Sequence, residues 1–93
     1  MEPTWQFEAG DLQGDGHIVE VDILRDNTTQ TKAAFTRHLM QIWCSEHCGD
    51  LWRVRQNRRT IEVCFESEVD LVLFRLSREW DNFQGSYRYM FFA

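Results

Sequence analysis

The spacing of apolar residues divides most of this chain into six segments, and the order of those segments limits the folds that it can adopt. In "HIVEVDILR" (17–25), Val19, Val21 and Ile23 alternate with polar or acidic residues, which is the period-two pattern of a strand with one buried face. From about Thr31 the apolar residues recur every three or four positions, which is typical of an amphipathic helix. Two strand-like segments, a second helical segment and a last strand-like segment follow.

The two helical segments carry signals for their ends. Gly49 stands where a left-handed residue is expected to close the first helix. Ser67 and Asp70 open the second helix with the spacing of a capping box. The residues predicted to face the core are Phe35, Leu39, Ile42 and Trp43 in the first helix and Val69, Val72, Leu73, Leu76 and Trp80 in the second.

The remaining strands complete the order of elements. The segments "LWRVRQ" (51–56) and "RTIEVCF" (59–65) are predicted to form a hairpin that turns at Asn57, and "YRYMFFA" (87–93) is predicted to form the last strand. The order strand, helix, strand, strand, helix, strand predicts an α+β, ferredoxin-like βαββαβ fold. Right-handed crossovers then place both helices on one face of a four-stranded antiparallel sheet.

The composition of this 93-residue chain indicates one globular domain, since 43% of it is hydrophobic and it has one proline. We divide it into an acidic, glycine-rich segment (1–16) and the ferredoxin-like domain (17–93). No apolar run approaches the roughly 20 residues of a membrane span, and the first segment lacks the basic and apolar regions of a signal peptide. Three cysteines are an odd number for a disulfide framework. We therefore expect an intracellular protein with free thiols.

Cys44, His47 and Cys48 form the cluster whose residue types are closest to those of a chemical site. Positions i, i+3 and i+4 share a helix face, but a structural zinc site needs a fourth ligand. His38 points about 120° away on the helix, and Cys64 is expected on the sheet face opposite to the helices. A redox Cys-x-x-Cys motif would have one residue fewer between the thiols. We predict no metal and no cofactor, and interpret the cluster as a helix end in which Cys44 or Cys48 packs as a small apolar residue.

Charged residues of both signs alternate on the sheet face predicted to lie away from the helices. Cross-strand pairs of acids and arginines each stabilise a sheet by roughly 0.2–1 kcal/mol. The pattern fits either a solvated face that neutralises itself or a charged docking face for a protein partner, with a basic ridge of arginines along the hairpin. The residues assigned to partner binding are Glu20, Asp22, Arg53, Arg55, Arg58, Arg59, Glu62 and Arg88.

The same face does not favour nucleic acid as the partner. RNA-recognition domains of this topology stack bases on aromatic side chains of the first and third strands. Glu20, Asp22, Glu62 and Cys64 occupy those positions here, and carboxylates repel phosphate. A net charge of -5 also argues against bulk binding to nucleic acid. Contact of the hairpin arginines with a DNA backbone stays an alternative.

Catalysis has little support in the sequence. His17 lies on a predicted strand, and His38 and His47 stand nine positions apart on the first predicted helix, so the three do not form a catalytic group. No glycine-rich phosphate loop follows a predicted strand. We predict that the protein is not an enzyme.

The segment "IWCSEHCGDLWRV" (42–54), followed by "IEVCFESEVDLVLFRLSREW" (61–80), resembles small, uncharacterised proteins of tailed bacteriophages. Those proteins carry a tryptophan–cysteine pair that closes a helix, then a glycine, then a tryptophan that starts a strand. A Phe-Glu-x-Glu-x-Asp stretch follows and leads into Leu-Phe-x-Leu. This chain departs from the pattern at Leu71, where alanine is usual, and at Trp80, which comes later than the pattern expects. The resemblance implies a phage origin and assigns no catalytic residue.

The phage resemblance and the acidic surface together predict a non-enzymatic accessory protein that binds and inhibits a host protein in the host cytoplasm. The target would be a CRISPR or other defence component, or a protein of host takeover. The alternatives are a nucleic-acid-binding domain that uses the arginine-rich hairpin and a homo-oligomeric structural component of the phage. The sequence leaves monomer and homodimer open. The acidic residues expected to occupy a nucleic-acid site on the target are Glu8, Asp11, Asp15, Glu20 and Asp22.

Overall fold

The computed structural model describes residues 5–23, 29–77 and 87–91, the last of these as backbone only. Within them lie five strands in one antiparallel sheet, and neither of the two helices is long and apolar enough to cross a membrane. The strands are β1 (Phe7–Gly10), β2 (His17–Asp22), β3 (Trp52–Gln56), β4 (Thr60–Phe65) and β5 (Tyr87–Phe91), and the helices are α1 (Gln30–His47) and α2 (Glu68–Ser77).

The predicted fold class is confirmed. The elements β2, α1, β3, β4, α2 and β5 follow one another as predicted, and the strand order β1-β3-β4-β2-β5 places β2 and β4 next to each other. Pairing of the first and third strands of a βαββαβ unit is the arrangement of two interleaved βαβ units. Side chains of both helices join one core cluster with β2, β3 and β4, so both helices cover the same face of the sheet.

The strand β1 adds a fifth member to the four predicted strands. It pairs with β3, with Gly10 opposite Arg53. Residues 5–9 alternate apolar with polar residues, so a short period-two signal is present in the segment that precedes the predicted domain. Gly10 has a φ of +102°, and a Cβ there would collide with the Trp52 carbonyl oxygen. The close approach of β1 to β3 therefore requires glycine at this position.

The core lies between the sheet and the two helices. Phe65 of β4 and Phe74 of α2 pack with their ring centroids 5.2 Å apart, and Trp43 of α1 meets Phe74 edge to face, also at 5.2 Å. Burial of each side chain of this size contributes up to about 3 kcal/mol. The buried residues of this cluster are Val19, Val21, Ile23, Ala33, Met40, Trp43, Cys44, Val54, Ile61, Val63, Phe65, Leu71 and Phe74.

The predicted core face of α1 is wrong except for Trp43 and, in part, Leu39. Phe35 is 56% exposed and Ile42 is 38% exposed. Another face of the helix, which includes the polar Thr36, is buried in their place, whereas the helical-stripe rule counts only apolarity and spacing. The buried residues of α1 are Ala33, Thr36, Met40, Trp43 and Cys44.

The predicted core stripe of α2 is also wrong. The buried residues of the helix are Leu71 and Phe74, which join the core cluster, and Asp70. The ring of Phe74 fills the space between Trp43 and Phe65, and that fit sets the rotation of the helix. The predicted residues Val69, Val72, Leu73 and Leu76 are exposed as a result. Trp80 lies outside the described residues.

The predicted helix ends are right in part. Ser67 caps α2, since its Oγ accepts a hydrogen bond at 3.2 Å from the second N–H of the helix. The carboxylate of Asp70 does not complete a capping box, because it accepts hydrogen bonds from the N–H groups of Gly49 (3.2 Å) and Asp50 (3.1 Å). Gly49 is not left-handed, and α1 ends through an extended Cys48. Asp70 thus ties the chain leaving α1 to the start of α2.

Candidate functional site on the open sheet face

Five of the eight residues predicted for partner binding lie on the sheet face opposite to the helices. Side chains alternate along a strand, and the residues between them point into the helix-covered core. The register places Arg55 opposite Glu62 and Glu20 opposite Glu62 on its other side. The five residues are Glu20, Asp22, Arg53, Arg55 and Glu62.

Arg55 and Glu62 form an ion pair across β3 and β4. The Nε of Arg55 donates to Oε1 of Glu62 at 2.9 Å, and its Nη2 donates to the same oxygen. The side chains are only 16% and 10% exposed, and the ring of Trp5 lies 4.2 Å from the guanidinium carbon on its other side. The predicted cross-strand pairing of acid and base is confirmed here. Its charges are directed at each other and not at solvent.

The side chain of Arg53 lies on this face but is buried. It is 8% exposed, and its Nη1 donates to the Leu12 carbonyl oxygen at 3.1 Å. Its Nη2 lies 3.7 Å from the sulfur of Cys64 and 3.9 Å from a carboxylate oxygen of Asp15. The guanidinium therefore holds the loop between β1 and β2 against the sheet.

That loop covers part of the face, which the sequence predicted to be open. Leu12 packs on Ile18 and Cys64 in a second small apolar cluster. Burial, followed by the nearby Glu62 carboxylate, raises the pKa of the Cys64 thiol to about 11, against the opposing effect of the two arginines. The side of the sheet predicted for Cys64 is confirmed. Leu12 has no strand or helix pattern around it, so sequence reasoning could not identify its role.

The hairpin arginines do not form the predicted basic ridge. Arg58 and Arg59 are exposed at the turn, whereas Arg53 and Arg55 are held in the face. The Oδ1 of Asn57 accepts hydrogen bonds from the N–H groups of Arg59 (2.8 Å) and Thr60 (2.7 Å) and organises the turn.

Arg88 is the eighth predicted residue, and its position is known from the backbone alone. It lies opposite Glu20 in the register of β2 and β5. Residues directly opposite in antiparallel strands share a face. The register therefore assigns Arg88 to the β5 position next to Glu20.

A polar cleft of about 340 Å³ lies at the hairpin end of this face. Three carboxylates and one arginine border it, with Trp5 as an aromatic wall. A cationic side chain fits this chemistry, because carboxylates form charge-assisted hydrogen bonds with it and an indole ring attracts cations. The residues that line the cleft are Trp5, Glu20, Asp22, Asn57, Arg59, Thr60 and Glu62.

The cysteines of the cysteine–histidine cluster at the end of α1 pack in or against the hydrophobic core. Cys44 is fully buried, and burial, followed by the neighbouring Cys48, raises the pKa of its thiol. The His47 ring stacks on Trp43 at 4.8 Å, and its Nδ1 lies 3.0 Å from the Trp43 carbonyl oxygen. Among residues 5–23, 29–77 and 87–91, no group of three or more His, Cys, Asp or Glu side chains is placed to hold a metal ion.

Comparison with models of known protein families, with curated proteins and with solved structures gives no match. The function must therefore be inferred from the residues and geometry of this chain.

Proposed function

We propose that this chain is a non-enzymatic phage accessory protein that binds and inhibits a host protein, with the acidic side of its open sheet face against a basic surface of the target. The observation that carries the proposal is the unequal exposure of the two kinds of charge on this face. The central arginines Arg53 and Arg55 are buried or paired within the face, and carboxylates surround them.

The distribution of charge follows from the contacts of each residue. Arg53 is 8% exposed and Arg55 is paired with Glu62. The carboxylate of Asp15 lies 3.9 Å from Arg53 and 3.7 Å from Arg55, and its side chain is still 58% exposed. Glu8 and Asp11 are exposed as well. A partner that approaches this face therefore meets mainly negative charge, which favours basic surfaces and disfavours phosphate.

The cleft at the hairpin end supports a basic partner in particular. Glu20, Asp22 and Glu62 border it on the sheet side, and Trp5 forms a wall. An arginine or lysine side chain of the target would insert there, since buried arginine contacts and aromatic walls are typical of the strongest residues in protein interfaces. The clefts of nucleic-acid-binding proteins are lined with such basic side chains.

The class of target follows from this complementarity. The acidic face would occupy the basic groove of a protein that binds nucleic acid. It would inhibit that protein by competing with the nucleic acid for the groove. Nucleases of bacterial defence, including CRISPR effectors, belong to this class. The phage origin is supported by the resemblance of residues 42–54 and 61–80 to phage proteins, and host cytoplasm is the compartment that it implies.

One observation favours nucleic-acid binding as a second candidate function. Arg58 and Arg59 are exposed next to each other at the hairpin turn, where they could contact a phosphate backbone. Because Arg53 is buried and Arg55 is paired, Arg58 and Arg59 are the two arginines of the hairpin that remain able to contact phosphate. Any such binding would therefore be weak and strongly dependent on salt.

Recovery of partners from bacterial host extract tests the proposal. The tagged chain should retain a partner in stoichiometric amount at low salt, and added duplex DNA or RNA should release the chain from that partner by competition. Absence of a stoichiometric partner in extracts of susceptible hosts would contradict it. Direct binding of the purified chain to nucleic acid at low salt would support the second candidate.

A further inference from the structure

The outer side of α2 carries a second apolar stripe that the core does not use. Its four members recur at i, i+3, i+4 and i+7, which is the spacing of one helix face. The buried residues Leu71 and Phe74 lie on the opposite side of the helix. The members of the stripe, with their exposed fractions, are Val69 (67%), Val72 (42%), Leu73 (46%) and Leu76 (74%).

An apolar groove adjoins this stripe. It has a volume of about 290 Å³ between the C-terminal halves of α1 and α2, and its walls are Trp43, His47, Leu73, Leu76 and Ser77. The indole Nε1 of Trp43 donates to the hydroxyl of Ser77 at 2.8 Å, so the floor of the groove is held in place. Stripe and groove together form a continuous exposed apolar surface, which is typical of an interaction site.

We propose that this stripe binds the α2 stripe of a second copy of the chain, with the two helices antiparallel about a twofold axis. The charged residues beside the stripe indicate that the partner is a second copy of the chain. Glu68 and Arg75 are seven residues apart and lie on the same flank of α2, one at each end. In an antiparallel pair related by a twofold axis, the same flanks face each other. Glu68 of each copy then lies beside Arg75 of the other.

The apolar residues match in the same arrangement. Val69 of one copy lies opposite Leu76 of the other, and Val72 lies opposite Leu73, so every member of the stripe meets an aliphatic side chain. A guanidinium has five N–H donors, so Arg75 can bind the second copy's Glu68 in addition to its contacts within the chain. Both charge pairs form on one side of the interface, and neither requires a change in the backbone.

The dimer is independent of the proposed function and compatible with it. The stripe points away from the sheet, whereas the acidic face lies on the other side of the sheet. Each dimer would therefore present two acidic faces, and two linked faces bind a target with repeated basic sites more tightly than one face does.

Sedimentation equilibrium of the purified chain over a wide range of concentration tests the dimer. The chain should associate to a dimer at the upper end of that range, and Leu73→Glu should raise the dimer dissociation constant about tenfold or more. Leu51→Glu is the matched control, since Leu51 is also 46% exposed but lies outside α2. It should leave the dissociation constant unchanged.

Charge exchange gives a second test that leaves the apolar stripe intact. Glu68→Arg should weaken the dimer because it places two arginines together at each end. Addition of Arg75→Glu in the same chain should restore the affinity, since the charges are then exchanged but still complementary. A monomer at every concentration would overturn the proposal, and so would a double variant that associates more weakly than Glu68→Arg. Circular dichroism melting of each variant establishes that it is folded.

Discussion

Arg55 donates two hydrogen bonds to a single carboxylate oxygen of Glu62 across the central strands of the sheet. The pair is sealed by Trp5 on one side, so its charges are largely removed from water. A pair of this kind contributes modestly when it is complete and costs much when one partner is lost, since the remaining charge is left in a poorly solvated position.

Glu62→Leu should lower the free energy of unfolding by about 2–4 kcal/mol, because it removes both hydrogen bonds that Arg55 donates to Glu62 and leaves its charge, in a site largely closed to water, with the longer contact of 3.7 Å to the Asp15 carboxylate. Replacement of both residues, with Arg55→Met added, should recover much of the loss. Urea unfolding of the two single variants and the double variant measures this coupling. Losses that simply add would show that the two residues do not interact.

Asp70→Asn should lower the free energy of unfolding by about 1–3 kcal/mol, since an amide keeps one acceptor oxygen for two N–H donors and places its own N–H₂ against the other. Asp50→Asn is the matched control, because the side chain of Asp50 is exposed. It should change the stability by less than about 0.5 kcal/mol. Equal effects of the two substitutions in urea unfolding would contradict the role of Asp70 at the junction of α1 and α2.

Gly16→Ala should destabilise the protein more than Gly14→Ala does. Both glycines have a left-handed φ, +59° and +81°, so both alanines incur a cost of about 1–2 kcal/mol. A Cβ on Gly16 would also collide with the Phe65 carbonyl oxygen, whereas a Cβ on Gly14 would meet nothing within 4 Å. The steric conflict should add about 1–3 kcal/mol for Gly16→Ala. Thermal melts of equal midpoint would contradict the close contact of this loop with β4.

The stability of the protein should fall as the pH rises from about 8.5 to about 11. The folded state raises the pKa of Cys64 to about 11, whereas a cysteine in the unfolded chain ionises near pH 8.5. Between these values the unfolded state loses its proton first, so ionisation favours unfolding by up to about 3 kcal/mol at the upper end. Cys64→Ala should make this part of the stability curve less steep, and the part of the slope due to the buried Cys44 thiol should remain. Urea unfolding at pH 8 and pH 10.5 measures the change. An unchanged slope would contradict the burial of the thiol.

The backbone order of the fold could be read from the sequence, since the alternating segments of β2 and β4 and the helical spacing of α1 are strong local signals. The rotation of the helices could not. It depends on how Phe74 fits between Trp43 and Phe65 and on the bonds of Asp70 to the backbone near Gly49. These contacts join residues that are far apart in the chain, and no periodicity records them.

The sequence also predicted part of the candidate site correctly, because strand alternation is a local signal. Strand alternation placed Glu20, Asp22 and Glu62 on one face correctly, because that face depends only on the parity of the positions. The burial of Arg53 depends on Leu12, which lies in the loop between β1 and β2 and packs against this face. Sequence patterns do not predict where a loop lies. The sequence therefore could not show that the hairpin arginines do not form a basic ridge.

The most direct test of the acidic face compares two doubly substituted chains in recovery of the partner from host extract. Glu20→Lys with Asp22→Lys reverses the charge on the open face. Glu46→Lys with Asp50→Lys makes the same change in net charge at exposed positions on and directly after α1, outside this face. We expect the first chain to lose the stoichiometric partner of the unsubstituted protein and the second chain to retain it. Retention of the partner by the first chain, or its loss from both, would show that the acidic face does not bind the partner.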